Sequence, residues 1–327
     1  MNNKKPPFSI TTAILDDITD IAELVGQFNV SFSASTNPQL RRTNRIRTIY
    51  SSLAIEQNTL SLEQVTAVLN GRHIIAPPRD IAEVKNAYEI YDVLESLNPY
   101  SVDDLLNAHA VMTRGLTEES GCFRSRPVGV VDSQGNVLHF GTLPDYVPSL
   151  TMELLEWVKN SDFHMLIKSC VFHYELEVIH PFADGNGRMG RLWHTLLLSQ
   201  WKPMFAWLPV ESIIHNRQEE YYNAINRSNY EGESTVFIQF MLSAIKSALV
   251  EAIQTDVSVK TMTTDELRWS KIESFLTSKG TIYNADVRNM FGVSSATANR
   301  ILLKLTNEHR LQKVRTGKVW GYVLKDQ

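Results

Sequence analysis

The chain has 327 residues, 43% of them hydrophobic and 21% charged, which is apolar material for a sizeable core and length for two or three domains. It holds no apolar run of about 18 residues, and its start, MNNKKPPFSI, lacks the apolar stretch of a signal peptide, so no membrane partner and a cytoplasmic address are expected. Two cysteines, Cys122 and Cys170, exclude a disulfide framework and a zinc site; both are expected to be reduced, with Cys170 in a core. The net charge of −4 hides an asymmetry, because residues 263–327 carry 11 Lys+Arg against 6 Asp+Glu (net +5), leaving 21 against 30 (net −9) elsewhere.

Along the first 250 residues, helical periodicity dominates. The exception is GCFRSRPVGVVDSQGNVLHFGTLP, residues 121–144, where β-branched runs flank Gln-Gly-Asn and predict a hairpin. TMELLEWVKN then reads as a helix, and IKSCVFHYELEVI places Ile167, Cys170, Val171, Tyr174 and Val178 on one stripe. That helix should end near His180, because Pro181 disfavours the α region for the residue before it. A loop, PFADGNG, follows, and a new helix is predicted from about Arg188 through LWHTLLLSQW. FIQFMLSAIKSALVEAI is another helix, and the polar, Thr-rich 251–264 reads as a linker. Beyond it, DELRWSKIESFLTSKG, NADVRNMFGV and SSATANRILLKLTNEHR predict three helices, the third opening on a Ser cap, and LQKVRTGKVWGYVL predicts two strands around Thr-Gly-Lys.

IHPFADGNGRMGRLW carries the chemistry. Gly185 and Gly187 let backbone N–H groups approach a ligand where a helix begins, and both the unpaired N–H groups and the helix dipole favour an anion. Arg188 and Arg191, three apart on one helix face, offer planar forks of donors suited to phosphate oxygens. Asp184 supplies a hard carboxylate oxygen, and Mg²⁺ is commonly held by one or two carboxylates plus substrate phosphates. His180 is the natural acceptor of a proton from a hydroxyl near neutral pH. Singly, each has an ordinary structural explanation; together within twelve residues they make a base, a metal ligand and a phosphate cradle.

HPFADGNGRMGR also resembles, without a departure, the HPFx(D/E)GNGRxGR signature of Fic-domain (Fic/DOC) proteins, and the likeness extends over most of residues 50–250. The resemblance implies a Fic-type helical domain that moves AMP from ATP, with Mg²⁺, to a hydroxyl side chain of a target protein. It makes His180 the base and Asp184 the Mg²⁺ ligand, and it places the nucleotide phosphates on Gly185, Asn186, Gly187, Arg188, Met189, Gly190 and Arg191. The family's kinase-like branch carries a Lys-ending variant of GNGR that is absent here, so nucleotidyl transfer is expected. By the same resemblance the hairpin at 121–144 is the flap that aligns a target segment by strand pairing. Tyr222 and Asn229 in EEYYNAINRSNYEGE are candidates to border the adenine, with a core tyrosine as the competing reading of Tyr222. His109, His173 and His194 fall within helical patterns and read as packing or supporting residues. SSLAIEQN resembles the family's inhibitory motif (S/T)xxxE(G/N), with Ser52 and Glu56 in place and Gln57 as a departure; the resemblance pairs Glu56 with Arg191, at the seat of the γ-phosphate.

The expected architecture is mainly α: an N-terminal helical region with the inhibitory helix (1–110), a Fic core with its hairpin flap (111–250), the linker (251–264) and a small domain (265–327). The last resembles a winged helix-turn-helix, with Ser295, Thr297, Asn299 and Arg300 on the recognition helix and Lys313, Arg315 and Lys318 on the wing. DNA is its expected partner and protein docking the alternative. The expected function is an autoinhibited protein adenylyltransferase; the competing class is a DNA-binding regulator whose Fic domain senses nucleotide. Families of this type commonly form homodimers.

Overall fold

The stripe predicted over Ile167–Val178 lies in the helix that organises the molecule, in a computed structural model that describes residues 5–31, 38–131, 137–261, 264–316 and 319–325. Two compact units divide between Ile253 and Gln254. In the first, α1 (Thr12–Ser31), α2 (Pro38–Ile55), α3 (Leu62–Leu69), α4 (Pro78–Asp92) and α5 (Val102–Met112) precede a hairpin of β1 (Gly129–Val131) and β2 (Val137–Phe140). Then come α6 (Val147–Asn160), α7 (Met165–Ile179), α8 (Asn186–Trp201), α9 (Val210–Asn216), α10 (Gln218–Glu231) and α11 (Thr235–Thr261), which runs across the division.

Helices α7 and α8 form the centre. Leu166, Ile167, Cys170, Val171, Phe172, Leu176 and Ile179 of α7 are buried, and from Arg188 to Ser199 every residue of α8 is buried. A helix enclosed on all sides shows no polar face, which is why LWHTLLLSQW lacks a clean stripe. Gly190 brings the two helices together, since a methyl there would strike the His173 ring. The expected boundary near residue 110 does not divide the core: one apolar cluster runs from Phe8 to Leu249.

Helix α11 is long and apolar enough over Thr235–Thr255 to cross a membrane by length and composition alone, and half of that stretch is buried inside the protein. Phe237, Ile238, Met241, Leu242, Ile245 and Leu249 pack into the core, and Lys246 on α11 holds Asp17 at 2.7 Å and Asp20 at 3.1 Å on α1. The linker expected at 251–264 is helical as far as Thr261, because threonines and small polar residues at its end continue an already nucleated helix.

The hairpin expected near 121–144 is present. Its strands pair antiparallel, Gly129 with Phe140 and Val130 with His139, with a register shift at Val131; the Gln-Gly-Asn turn lies outside the described residues.

The second unit contains α12 (Thr264–Lys279), α13 (Asn284–Phe291), α14 (Ser295–Asn307), β3 (Leu311–Thr316) and β4 (Val319–Leu324). Its own core joins Ile272, Leu276, Val287, Ala298, Leu302, Leu305, Leu311 and Tyr322. Strands β3 and β4 pair antiparallel, and Ile282 adds a bridge to Tyr322. Gly292 turns α13 into α14 in the left-handed region (φ 63°), and the Ser294 hydroxyl caps α14 by accepting from the Thr297 N–H.

Candidate active site

The α7–α8 connection is built by its own side chains. Helix α7 stops at His180, which takes a left-handed conformation (φ 51°, ψ 61°), and α8 starts at Asn186, two residues earlier than the sequence suggests. Gly185 caps that start at φ 90°, a region glycine enters without a Cβ penalty. The Asn186 amide closes the loop, accepting from the Phe182 N–H at 2.9 Å and donating to the Phe182 carbonyl at 2.8 Å. Its side chain is therefore spent on the turn, and what it offers a ligand is its backbone N–H at the helix start.

Phe182 is fully buried and stacks on His109, with ring centroids 3.8 Å apart. His109 Nδ1 accepts from the Gly121 N–H at 3.0 Å, so Nε2 carries the proton and donates to the Asp184 carbonyl at 2.9 Å. Burial lowers the pKa of this imidazole, in keeping with a neutral ring. The residue expected to pack thus ties the hairpin entrance to the loop.

His180 Nδ1 lies 3.2 Å from the Glu177 carbonyl, an acceptor only, so in the neutral ring Nδ1 holds the proton and Nε2 is the basic nitrogen. Arg124 is a residue that pattern reading missed. It is buried and donates to the carbonyls of His180 (2.6 Å), Arg126 (2.9 Å) and Ile179 (3.4 Å) and to that of Thr142, while its own N–H donates to Pro181 at 3.0 Å. One guanidinium thereby fastens both feet of the hairpin beside His180. An arginine in GCFRSRP has no local signal for this, since every acceptor but one lies far along the chain.

The charged groups form two sets. Arg188, 3% exposed, donates to Asp184 Oδ1 at 2.8 Å and approaches Glu83 at 3.5 Å; Arg79 on α4 binds Asp184 Oδ2 at 2.9 Å and approaches Glu83 at 3.4 Å. Glu83 also accepts from the Asn58 amide at 2.8 Å. Arg191, 1% exposed, donates from Nη2 to Glu56 at 2.7 Å, and it reaches the Ser52 hydroxyl and carbonyl at 3.0 Å each. Burial works against its charge, but the carboxylate of Glu56 outweighs that and holds the guanidinium pKa above its usual value.

Glu56 lies over the first turn of α8, so close that a methyl at Gly187 would collide with its carboxylate. The departure at Gln57 has a backbone meaning: it follows the end of α2 at φ 67°, the left-handed region that Gly and Asn enter more cheaply. Gln57 adopts that conformation nonetheless, and the 2.7 Å pair forms.

Of the other candidates, Met189 is fully buried in the core and Gly190 faces His173, so neither side of the helix at those residues meets the loop cradle. Tyr222 is 41% exposed, which sets aside the core reading, and its hydroxyl reaches the Ile55 carbonyl at 3.4 Å. The core tyrosine is its neighbour Tyr221, 3.0 Å from His173 Nε2. Asn229 accepts from the Tyr174 hydroxyl at 2.9 Å. His173 and His194 are buried, and burial lowers both pKa values, that of His194 to about 4. Glu177, beside Arg191, is pushed up to about 7 by burial and by Glu56.

A divalent ion would find one carboxylate here. Among the described residues no group of three or more His, Cys, Asp or Glu side chains could hold a metal. Asp184 is partly exposed and chemically suited to a hard cation, so the residues fit an ion held chiefly by substrate phosphates.

In the second unit, Ser295, Asn299 and Arg300 are exposed and Thr297 is half-buried at the start of α14. The Asn284 amide donates to Asn299 at 2.7 Å and to the Ser295 carbonyl at 3.0 Å. On the hairpin, Lys313 and Arg315 lie 4.7 and 5.7 Å from the ring of half-exposed Trp320; Lys318 is outside the described residues.

Comparison with known proteins finds the Fic/DOC family model matching residues 99–198. The protein adenylyltransferase fic-1 of Caenorhabditis elegans is 27% identical over 239 residues, covering 68% of this chain and 44% of its own length. The protein adenylyltransferase Fic of Nematostella vectensis is 28% identical over 205 residues, 59% of this chain and 45% of its own. The chain thus spans less than half the length of these curated relatives. The crystal structure of a Fic family protein from Desulfovibrio desulfuricans G20 is 40% identical, with a TM-score of 0.74 over 99% of both chains.

Proposed function

Because the chain belongs to the Fic/DOC family, we propose that it is a protein adenylyltransferase, transferring AMP from ATP to a hydroxyl side chain of a target protein or of itself. One observation carries this: the basic nitrogen of His180 is presented at a loop that opens into the N-terminus of α8, where two buried arginines converge.

The chemistry follows from those positions. The N–H groups of Gly185, Asn186 and Gly187 and the dipole of α8 favour phosphate oxygens, and Arg188 and Arg191 supply charge that needs no reorganisation. The target oxygen attacks the α-phosphorus while His180 Nε2 takes its proton, the bond to the β-phosphate oxygen breaks, and pyrophosphate departs with the electron pair. Asp184 would hold Mg²⁺, which when bound neutralises phosphate charge. Glu56 opposes this by holding the Arg191 donors that an outer phosphate needs, so the resting chain is autoinhibited. Tyr222 and Asn229 remain candidates for the adenine side.

For the basic second unit we propose a winged helix-turn-helix that docks on DNA. The three-helix-and-hairpin order and the net charge of +5 over residues 263–327 support it.

The test is incubation of the pure chain with α-labelled ATP and Mg²⁺. Label that survives denaturation of the protein, together with none from γ-labelled ATP, supports AMP transfer; no retained label from either refutes it and favours a nucleotide sensor.

A further inference from the structure

The proposed metal ligand and the proposed inner phosphate clamp are locked into a closed ring of alternating charge. Arg79 binds Asp184 (2.9 Å), Asp184 binds Arg188 (2.8 Å), Arg188 approaches Glu83 (3.5 Å), and Glu83 approaches Arg79 (3.4 Å). Both carboxylate oxygens of Asp184 are thus occupied by guanidinium groups, Oδ1 by Arg188 and Oδ2 by Arg79. Each oxygen keeps a second lone pair, but two guanidinium charges within 3 Å of the carboxylate repel a dication, so the ion binds Asp184 tightly only where a guanidinium gives way. An arginine cannot vacate the place by losing its proton.

The two cations differ in freedom. Arg188 is 3% exposed and enclosed by α8 and α4, whereas Arg79 is 58% exposed at the first turn of α4. The backbone under Arg79 is fixed: Asp80 accepts from the Thr59 N–H at 3.0 Å and its carbonyl accepts from the Asn58 amide at 3.2 Å, in the turn that follows Glu56. The helix start is therefore anchored while the guanidinium at its edge is solvent-facing, and exposed pairs of this kind are held weakly enough to be displaced.

We infer that Arg79 is a positioning residue that occupies the cation side of Asp184 in the resting chain and yields it when a divalent ion arrives with the nucleotide. This rests on the reading of Asp184 as the metal ligand given above. Arg79 makes metal loading depend on the nucleotide: alone, the ion must displace a cation, while with a polyphosphate the displaced guanidinium gains a new anionic partner.

The experiment is Mn²⁺ titration of the full chain without nucleotide, followed by the electron paramagnetic resonance signal of free Mn²⁺. Removing a unit charge from within a few ångströms of a dication at the surface should tighten binding about three- to tenfold in Arg79→Ala. Arg79→Lys, which keeps the charge without the fork, should fall between that variant and the wild type. Adding Asp184→Asn to Arg79→Ala should erase the gain. Arg114→Ala, which removes an exposed pair with Glu89 elsewhere on the surface, should match the wild type. Equal or weaker Mn²⁺ binding in Arg79→Ala overturns the inference, as does absence of binding in every variant or a gain that survives Asp184→Asn. AMP labelling is read separately, so a chain that gains Mn²⁺ but never labels refutes the transferase reading and leaves this one standing.

Discussion

Replacing Glu56 with glycine should make the chain less stable and more active at once. The Glu56 carboxylate, 36% exposed, accepts from the Arg191 guanidinium, 1% exposed, at 2.7 Å. A hydrogen bond to a charged group contributes about 1.5–3 kcal/mol, and solvent screening of the exposed carboxylate brings this contact to about 1–2 kcal/mol. Arg191 keeps the Ser52 hydroxyl and carbonyl, at 3.0 Å each, so its charge is not left bare and the fold should hold. Without nucleotide, Glu56→Gly should therefore unfold about 1–2 kcal/mol more easily than the wild type. The same energy no longer opposes the γ-phosphate, so auto-labelling at subsaturating ATP should rise about 5- to 30-fold. ATP should also raise the melting temperature of the variant more than that of the wild type. Glu56→Gln, which keeps an acceptor without the charge, should lie between the two, and Arg191→Ala in the Glu56→Gly background should remove the gain because both act on one seat. Equal labelling and equal ATP-induced shifts in wild type and Glu56→Gly would refute the competition between carboxylate and phosphate.

His180→Asn should lower AMP transfer about 10²- to 10⁴-fold while ATP binding measured by calorimetry persists, because asparagine tolerates the left-handed backbone at φ 51° yet supplies no base. Gln57→Asn should raise thermal stability by about 0.5–1 kcal/mol by easing φ 67°, without altering the dependence of labelling on Glu56; an unchanged or lower melting temperature counts against strain at that residue. Glu177 gives a pH signature. Burial raises its folded pKa to about 7, above the ordinary carboxylate value of 4.5, so the native chain binds the extra proton and loses stability as pH rises from about 4.5 to 7. Glu177→Gln should match the wild type near pH 4.5 and exceed it by up to about 3 kcal/mol at pH 8, read from denaturant unfolding; parallel curves across that window would show that the carboxylate ionises at its ordinary pKa.

Local pattern carried the reading a long way in some places and misled it in others. Pro181 and the glycine pair located the turn between α7 and α8, and the Ser cap and Gly292 located α14, because those signals act within one turn of chain. The family resemblance, which speaks of positions and not of side-chain surroundings, did not show that Met189 is buried in the core, that Gly190 packs against His173, or that the Asn186 side chain closes the loop onto Phe182 and leaves its backbone N–H for a ligand. Tyr221 and Tyr222 are adjacent, and only the packing of α10 showed which of them is enclosed. The linker composition of 251–264 did not prevent helix, since propagation from a packed helix costs far less than nucleation.

The sequence by itself determined the mainly helical architecture, the hairpin, the basic C-terminal unit and the cluster of histidine, aspartate, glycines and arginines over residues 180–191, since composition and short spacing are properties of the chain. The resemblance of SSLAIEQN to the family's inhibitory motif also named Glu56 and Arg191 as partners. Tertiary structure alone decided that Arg79 meets Asp184 across 105 residues, that Asn58 holds the carboxylate facing Arg188, and that Arg124 secures the hairpin beside His180. Charges of these types occur all along the chain, and no local rule selects among them. Packing α2, α4 and the hairpin against α7 and α8 brings a particular few within hydrogen-bonding distance and removes enough water for the contacts to count.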